Sequence, residues 1–338
     1  MTETIISHAA AFLPVVLFLG ALAMMDSYKL VPRRRIAIAI AAGASAAAFS
    51  YVINTVFFQR FPAYAAVYAR FGAPVVEEFA KSSYWIFLVA TARVAFMVDA
   101  GICAFGVGAG FALAENFTYL QVRAGQGFGV SILRGFGTST MHGGVAALAA
   151  MLAIFLSERC QWRGFRQFAP GLLVSMAVHS FFNQGLLSPL ASTIVMLASI
   201  PALLVGVFLW SEASLRHWLG DKLDKDIELL NMIATGELHR TRLGAYLQSL
   251  QDGFPPEIRG DMLCLLQLSI ELSVRGKGDL LMREAGVEVP PSPEIDAQFQ
   301  ELAYLRNSIG PTGLLALAPV LSQSSRDLWE MRRLARGR

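Results

Sequence analysis

The stretch Pro74-Val75-Val76-Glu77-Glu78-Phe79-Ala80-Lys81 leads directly into an apolar run from Ser82 to Ala92. Two adjacent carboxylates and an ammonium group therefore stand at the start of a segment that is apolar enough to enter a bilayer. Because an ionised carboxylate in hydrocarbon is costly, such residues face a protein interior or a wet cavity and usually mark function. We expect the rest of the chain to be organised around these groups.

The hydrophobic residues are unevenly distributed along the 338-residue chain, of which they make up 55%. They dominate the part before Trp210, whereas charged residues are dense from Glu212 onward. This division predicts an all-α, polytopic membrane helix bundle in residues 1–211 and a soluble helical domain in residues 212–338. The formal net charge of +3 gives no indication of nucleic-acid binding, and three widely spaced cysteines predict neither a disulfide framework nor a Cys-type zinc site.

Seven segments have the length and apolarity of membrane helices, which need about 20 mostly apolar residues. They lie near residues 8–26, 36–58, 73–92, 99–121, 134–156, 169–187 and 190–211. The loops after the first, fifth and seventh segments are the more basic ones, with Lys29, Arg33, Arg34, Arg35, Arg159, Arg163, Arg166, Arg216 and Lys222. The opposite loops carry Arg60, Arg70, Arg123 and Arg134. Because basic loops stay on the cytoplasmic side, this pattern predicts an N-terminus outside and a cytoplasmic C-terminal domain.

Strongly polar residues occur at similar depth in four of these segments. With a rise of about 1.5 Å per residue, the Glu77–Glu78 pair, Glu115, His142 and His179 all fall in the outer half of the predicted bundle. Glycines in the fourth and fifth segments allow the close helix contact that enclosing a polar site requires. We therefore expect these groups to form one site.

Two histidines and one carboxylate are a standard ligand set for catalytic zinc. The sequence thus predicts a zinc site formed by Glu115, His142 and His179. The alternatives are a protonated, hydrogen-bonded Glu115 and two histidines that serve only packing.

The residues around this set suggest further catalytic roles. Lys81 is three and four residues from Glu78 and Glu77, so it can pair with either carboxylate on the helix surface. The other carboxylate would then serve as general base. Asn183, one turn from His179, is predicted to orient a ligand or hold an oxyanion. The plainer interpretation of the charged residues is an ion pair at a helix end.

Four short motifs follow one another on successive predicted segments. They are Glu77-Glu78-Phe79-Ala80-Lys81, Phe111-Ala112-Leu113-Ala114-Glu115-Asn116, His142, and His179-Ser180-Phe181-Phe182-Asn183. Their ordered combination resembles the PrsW family of bacterial intramembrane proteases, which is grouped with the CAAX-prenyl endopeptidases and related bacterial immunity proteins. In the CAAX endopeptidases the stretch that resembles Phe111 to Glu115 ends in His, whereas here it ends in Glu, as in PrsW.

The resemblance implies an enzyme of the bacterial inner membrane that cuts a membrane-anchored protein, such as an anti-sigma factor, near the outer membrane face in regulated proteolysis. In the wider group the paired glutamates usually supply the catalytic carboxylate, and later His and Asn residues complete the site. A metal-free protease in which Glu and His activate water directly remains an alternative. The expected partners are the lipid bilayer, the membrane-anchored substrate and a cytoplasmic protein bound by the C-terminal domain, with no nucleic acid.

Two other classes of protein remain open. Buried Glu and His residues could relay protons in a transporter, although no internal repeat supports this. A non-catalytic membrane scaffold is the third class. It predicts that alanine at Glu78 or His179 leaves function intact.

Overall fold

The computed structural model describes residues 2–122, 128–250, 253–287 and 293–321, together with 326, 327, 329 and 334. The described residues form helices and turns, without any strand among them, so the all-α prediction is confirmed. The chain divides into two compact units, Met1–Glu212 and Ala213–Arg338. The predictions for Arg123 and for the side chain of Arg134 lie outside the described residues.

The first unit is built from long helices. They are α1 (Thr2–Met24), α2 (Arg33–Arg60), the single turn α3 (Ala65–Val67), α4 (Ala73–Ala90), α5 (Met97–Val122), α6 (Phe128–Ser139), α7 (Val145–Arg159), α8 (Phe165–Asn183) and α9 (Pro189–Ala234), which continues past the unit boundary. Two π-helical segments interrupt them, Tyr68–Gly72 before α4 and Thr140–Gly144 between α6 and α7. A short 3-10 turn, Pro62–Tyr64, follows α2.

Each of the seven predicted membrane segments falls on a helical stretch. Among the described residues, four such stretches are long and apolar enough to cross a membrane, namely Arg33–Arg60, Met97–Tyr119, Gly135–Arg159 and Pro189–Ala234. The chain is therefore an all-helical bundle with membrane-spanning helices. α4 and α8 are not among these four stretches. They carry more of the polar residues of the predicted site than the other helices do, which makes them less apolar. The count of seven spans and the topology stay predictions.

α5 is the central helix of the first unit, and every residue from Val94 to Ala112 is buried. Its close neighbours approach it through glycines. A Cβ atom on Gly110 would lie 1.9 Å from the carbonyl oxygen of Ile40 on α2, and one on Gly108 would lie 2.1 Å from that of His142. The predicted close helix contact is thus present, and at Gly108 it is made to a predicted site residue.

The connection between α4 and α5 is short. It is stabilised by the Asp99 carboxylate, which accepts hydrogen bonds from backbone N–H groups at the start of α5. Its Oδ1 accepts a hydrogen bond from the backbone N–H of Phe96 over 2.9 Å, and its Oδ2 accepts one from Ala95 over 3.3 Å. A carboxylate in the first turn of a helix is also favoured by the helix dipole. Asp99 is therefore a structural residue that allows α5 to begin a few residues after α4 ends.

The second unit is helical as predicted, with a 3-10 turn at Glu237–Arg240 followed by α10 (Arg242–Ser249), α11 (Pro256–Glu284) and α12 (Pro293–Leu317). Its core joins α11 to α12 through apolar residues that include Met262, Leu265, Leu268, Leu272, Leu302, Leu305 and Ile309. Lys277 is buried and its Nζ contacts Asp226 Oδ2 over 3.0 Å. The residues of α11 that pack in this core recur every three or four positions, as expected for one apolar face of a helix.

Candidate active site

Four elements bring the predicted polar residues of the first unit into one hydrogen-bonded cluster. Its members are Glu77, Glu78 and Lys81 of α4, Glu115 of α5, His142 of the π-helical segment Thr140–Gly144, and His179 of α8. The cluster joins side chains that are up to about one hundred residues apart in the sequence, and most of its members are buried.

Glu78 and Lys81 form a buried ion pair one helical turn apart. Lys81 Nζ lies 2.5 Å from Glu78 Oε1, and the two side chains are 1% and 3% exposed. Lys81 Nζ also lies 2.7 Å from His142 Nδ1 and 4.6 Å from the centre of the Phe111 ring. The predicted pairing of Lys81 with one of the two glutamates is therefore present, and the partner is Glu78.

His142 has a neighbour at each ring nitrogen. An ammonium group only donates hydrogen bonds, so Nδ1 accepts from Lys81. Nε2 then carries the proton and donates it to Glu115 Oε2 over 2.7 Å. The widened π-helical turn and the glycine at position 108 let this ring lie against α5. Such π-helical turns often occur at functional positions.

His179 lies between the two adjacent glutamates. Its Nδ1 is 2.8 Å from Glu78 Oε1, and its Nε2 is 3.6 Å from Glu77 Oε2. Because Glu78 accepts the proton of Nδ1, Nε2 is left with its lone pair directed toward Glu77. A carboxylate that holds one nitrogen of a histidine while the other faces a ligand position is the usual arrangement at metal sites.

Glu77 has two supporting residues that sequence reasoning missed. Asn54 of α2 donates its amide Nδ2 to Glu77 Oε1 over 3.0 Å, and the hydroxyl of Tyr68 donates to Asn54 Oδ1 over 2.8 Å. Burial and, as the smaller cause, the nearby Glu77 carboxylate raise the pKa of Tyr68. The hydroxyl therefore stays protonated and can donate. The sequence signal that could have identified Asn54 is that it is the one amide in an otherwise largely apolar predicted span.

Among the described residues, Glu77, His142 and His179 form a group that could hold a metal ion, each with a ligand atom within 4.8 Å of the others. Two ligands of tetrahedral zinc lie about 3.3 Å apart, as follows from a Zn–N length of about 2.0 Å, and the Glu77–His179 separation of 3.6 Å is close to this value. Three carboxylates and one ammonium in the cluster, if all are ionised, leave two negative charges that a divalent cation would balance. The donor set therefore fits a metal ion once His142 gives up its contact with Lys81 or with Glu115.

This group differs from the predicted ligand set at one position. Glu77, predicted as a candidate base, stands with the two histidines, whereas Glu115, predicted as a ligand, contacts His142 Nε2. Of the three carboxylates, Glu115 has the most exposed side chain, at 36% against 16% for Glu77 and 3% for Glu78. This difference arises because the rotation of each helix about its own axis determines which carboxylate faces which imidazole.

The two asparagines near the cluster lie in different surroundings. Asn183, predicted to act on the substrate, is exposed and donates its amide to the backbone oxygen of Ala69 over 3.1 Å. Asn116 is buried and accepts a hydrogen bond from Thr138. Its Nδ2 has no partner among the described residues.

The sequence also matches a family model that covers residues 31–210, described as the PrsW family intramembrane metalloprotease. This range is more than half of the chain and includes every residue of the cluster. Searches of curated proteins and of solved structures give no match. The family match and the clustered Glu, His and Lys side chains agree that this chain belongs to the PrsW family of intramembrane metalloproteases and is a membrane-embedded protease.

Proposed function

We propose that the protein is a zinc endopeptidase of the bacterial inner membrane that cuts a membrane-anchored, anti-sigma-factor-like protein near the outer membrane face in regulated proteolysis. In this proposal residues 1–211 are the protease domain, with the N-terminus outside. Residues 212–338 form a cytoplasmic domain that binds a partner there. The basic loops on one side of the predicted topology support this orientation, and the outer position of the polar residues follows from it.

The observation that carries the proposal is the position of His179 between Glu77 and Glu78. Glu78 holds Nδ1 over 2.8 Å, so that Nε2 is presented 3.6 Å from the Glu77 carboxylate. We assign Glu77, His142 and His179 as the residues that would hold zinc. Lys81 and Glu78 then act as positioning residues, because they contact the two histidines and are themselves buried.

When bound, the metal supplies a Lewis acid that polarises the scissile carbonyl and lowers the pKa of water. Glu115 is the general base in this assignment, because its carboxylate is the most exposed of the three and contacts His142. It accepts a proton from the attacking water as the new C–O bond forms. It then donates this proton to the departing amine nitrogen as the C–N bond breaks.

A groove beside the cluster is a suitable place for the substrate's membrane segment. It has a volume of about 550 Å³ and runs along α8 and the start of α4, with Phe71, Val75, Met176, Ser180 and Phe181 among its lining residues. Val75 is two residues from Glu77, and Ser180 follows His179. An apolar peptide in this groove would lie along α4 and α8, the two helices that carry Glu77 and His179.

The metal-free mechanism is supported by one observation. Lys81 and Glu115 contact the two nitrogens of His142, so one of these contacts must open before His142 binds a metal. In this alternative Glu115 and His142 activate water directly.

The two mechanisms are separated by reconstituting the protein in liposomes with a membrane-anchored model substrate. We expect a zinc-selective chelator to stop cleavage and added zinc to restore it. Cleavage that survives complete removal of metal would contradict the zinc mechanism and favour the alternative. An absence of any hydrolysis of membrane-anchored peptides would count against the endopeptidase proposal as a whole.

A further inference from the structure

Asn54 of α2 contacts the Glu77 carboxylate on one of its two oxygens. Its Nδ2 donates to Oε1 over 3.0 Å, whereas Oε2 is the oxygen that lies 3.6 Å from His179 Nε2. The two oxygens of Glu77 thus have separate neighbours. A hydrogen bond to Oε1 restricts rotation of the carboxylate and keeps Oε2 directed toward His179.

Asn54 is itself held by Tyr68. The Tyr68 hydroxyl donates to Asn54 Oδ1 over 2.8 Å, which leaves the Nδ2 of the same amide directed at Glu77. An ionised carboxylate only accepts hydrogen bonds, so the Nδ2 end of the amide faces Glu77, and the Tyr68 hydroxyl, which can donate or accept, donates to the Oδ1 end. The hydrogen bonds therefore run in one direction, from Tyr68 to Asn54 to Glu77.

The Tyr68 ring has little freedom to move. It stacks on Phe57 of α2 with ring centres 3.7 Å apart and an interplanar angle of 13°. On its own segment it lies against Gly72, where an added Cβ would be 2.2 Å from the tyrosine ring. Gly72, which has no side chain, leaves room for the ring, and stacking on Phe57 then holds the hydroxyl beside Asn54.

The segment that carries Tyr68 is also attached to the helix that carries His179. Tyr68–Gly72 is π-helical, and the backbone oxygen of Ala69 within it accepts the hydrogen bond from Asn183 of α8. A π-helical turn is an uncommon conformation that often occurs at functional sites. Here it links α2, the start of α4 and α8 at the point where Glu77 and His179 face each other.

We propose that Asn54, oriented by Tyr68, is a positioning residue that fixes the Glu77 carboxylate for metal binding. The inference rests on the proposed metal site and adds to it a residue on a fourth membrane helix. Groups that hydrogen-bond to metal ligands typically contribute 10–100-fold to metal affinity. We therefore expect Asn54→Ala to weaken zinc binding by about this factor.

A plainer role for Asn54 is a hydrogen bond that only joins α2 to the Tyr68 segment. Asn54→Asp separates the two roles, because aspartate keeps the size of the side chain and the oxygen that accepts from Tyr68. It replaces the amide that donates to Glu77 by a second carboxylate oxygen. The positioning role requires that this variant also loses zinc affinity by about 10–100-fold, whereas the plainer role predicts wild-type affinity.

The experiment measures zinc affinity of the full-length protein in detergent, by competition with a chelating dye, and compares the absorption spectrum after cobalt substitution. The variants are Asn54→Ala, Asn54→Asp, Tyr68→Phe and the double variant Asn54→Ala/Tyr68→Phe. Gln59→Ala is the matched control, since Gln59 is an exposed amide on the same helix. Thermal unfolding of each variant identifies effects that come from a loss of folding.

We expect Tyr68→Phe, which keeps the stacked ring, to weaken binding by a smaller factor than Asn54→Ala. Because Tyr68 acts through Asn54, the double variant should be no weaker than Asn54→Ala alone. Wild-type affinity in both Asn54 variants, with zinc binding lost in His179→Ala, would overturn this inference and leave the proposed metal site intact. A wild-type protein that binds no zinc would overturn both.

Discussion

The carboxylate of Glu78 accepts a hydrogen bond from Nδ1 of His179 over 2.8 Å, although the two residues are 101 positions apart in the sequence. Glu77, the preceding residue, faces the other nitrogen of the same ring. The two adjacent glutamates thus have different surroundings. Glu78 is buried between Lys81 and His179, whereas Glu77 lies at the more exposed edge of the cluster. This difference is the basis for assigning Glu77 as a ligand and Glu78 as a support.

Replacing Lys81 tests whether the buried ion pair supports the fold. Lys81→Met removes the ammonium and leaves the Glu78 carboxylate, 3% exposed, without its opposite charge. Breaking a buried pair on one side costs about 3–5 kcal/mol. We expect a clearly lower thermal midpoint in detergent than for wild type. Lys222→Met, at an exposed position, serves as control, and an equal midpoint for the two variants would contradict the assignment.

Replacing Glu115 tests its role as general base. Glu115→Gln keeps an oxygen that can accept from His142 Nε2 but cannot take up a proton at neutral pH. Loss of a general base lowers the rate about 10²–10⁴-fold. We expect kcat on a membrane-anchored peptide to fall by this amount while the bound metal stays at the wild-type level. Loss of the metal together with activity would instead favour the ligand role predicted from the sequence.

Gly108 tests the contact between α5 and the segment that carries His142. In Gly108→Ala the new Cβ would lie 2.1 Å from the His142 carbonyl oxygen, so the π-helical segment must move. Overpacking of this kind costs about 1–3 kcal/mol. We expect a lower thermal midpoint and a larger loss of activity than the lost stability explains. Gly206→Ala, with nothing within 4 Å of its added Cβ, should resemble wild type in both measurements.

Asn183 tests whether the outer end of α8 takes part in catalysis. Its amide donates to the Ala69 carbonyl oxygen, so we expect a supporting role worth about 0.5–1.5 kcal/mol of stability. Asn183→Ala should then reduce kcat by less than about tenfold. A donor to a reaction oxyanion would contribute about 10²–10³ in kcat. A loss of that size in Asn183→Ala would reinstate the role predicted from the sequence.

The sequence predicts the composition of the cluster better than its internal arrangement. Depth along each predicted span brings Glu77, Glu78, Glu115, His142 and His179 to one level, and the structure joins them there. Which carboxylate meets which imidazole depends on the rotation of each helix about its own axis. Spacing along the chain does not determine this rotation, which is why the sequence did not predict that Glu77, rather than Glu115, groups with the two histidines.

Asn54 and Tyr68 were missed for a related reason. A single amide in an apolar span has no sequence pattern that distinguishes a ligand support from a helix-packing residue. Tyr68 lies in a π-helical segment, and regular 3.6-residue periodicity does not predict such widened turns. The extension of α9 to Ala234 was also not expected, because its apolar part ends near Trp210 and the remainder is charged.

The proposed zinc site is tested most directly by the metal content of the detergent-purified, full-length protein. Wild type is measured beside His142→Ala, His179→Ala and Glu77→Ala, with His239→Ala, an exposed residue of the second unit, as control. We expect about one zinc per chain in wild type and in the control, as is usual for a single catalytic site, and loss of zinc in the other three variants. Wild-type protein without metal that still cleaves its substrate would contradict the proposed zinc site.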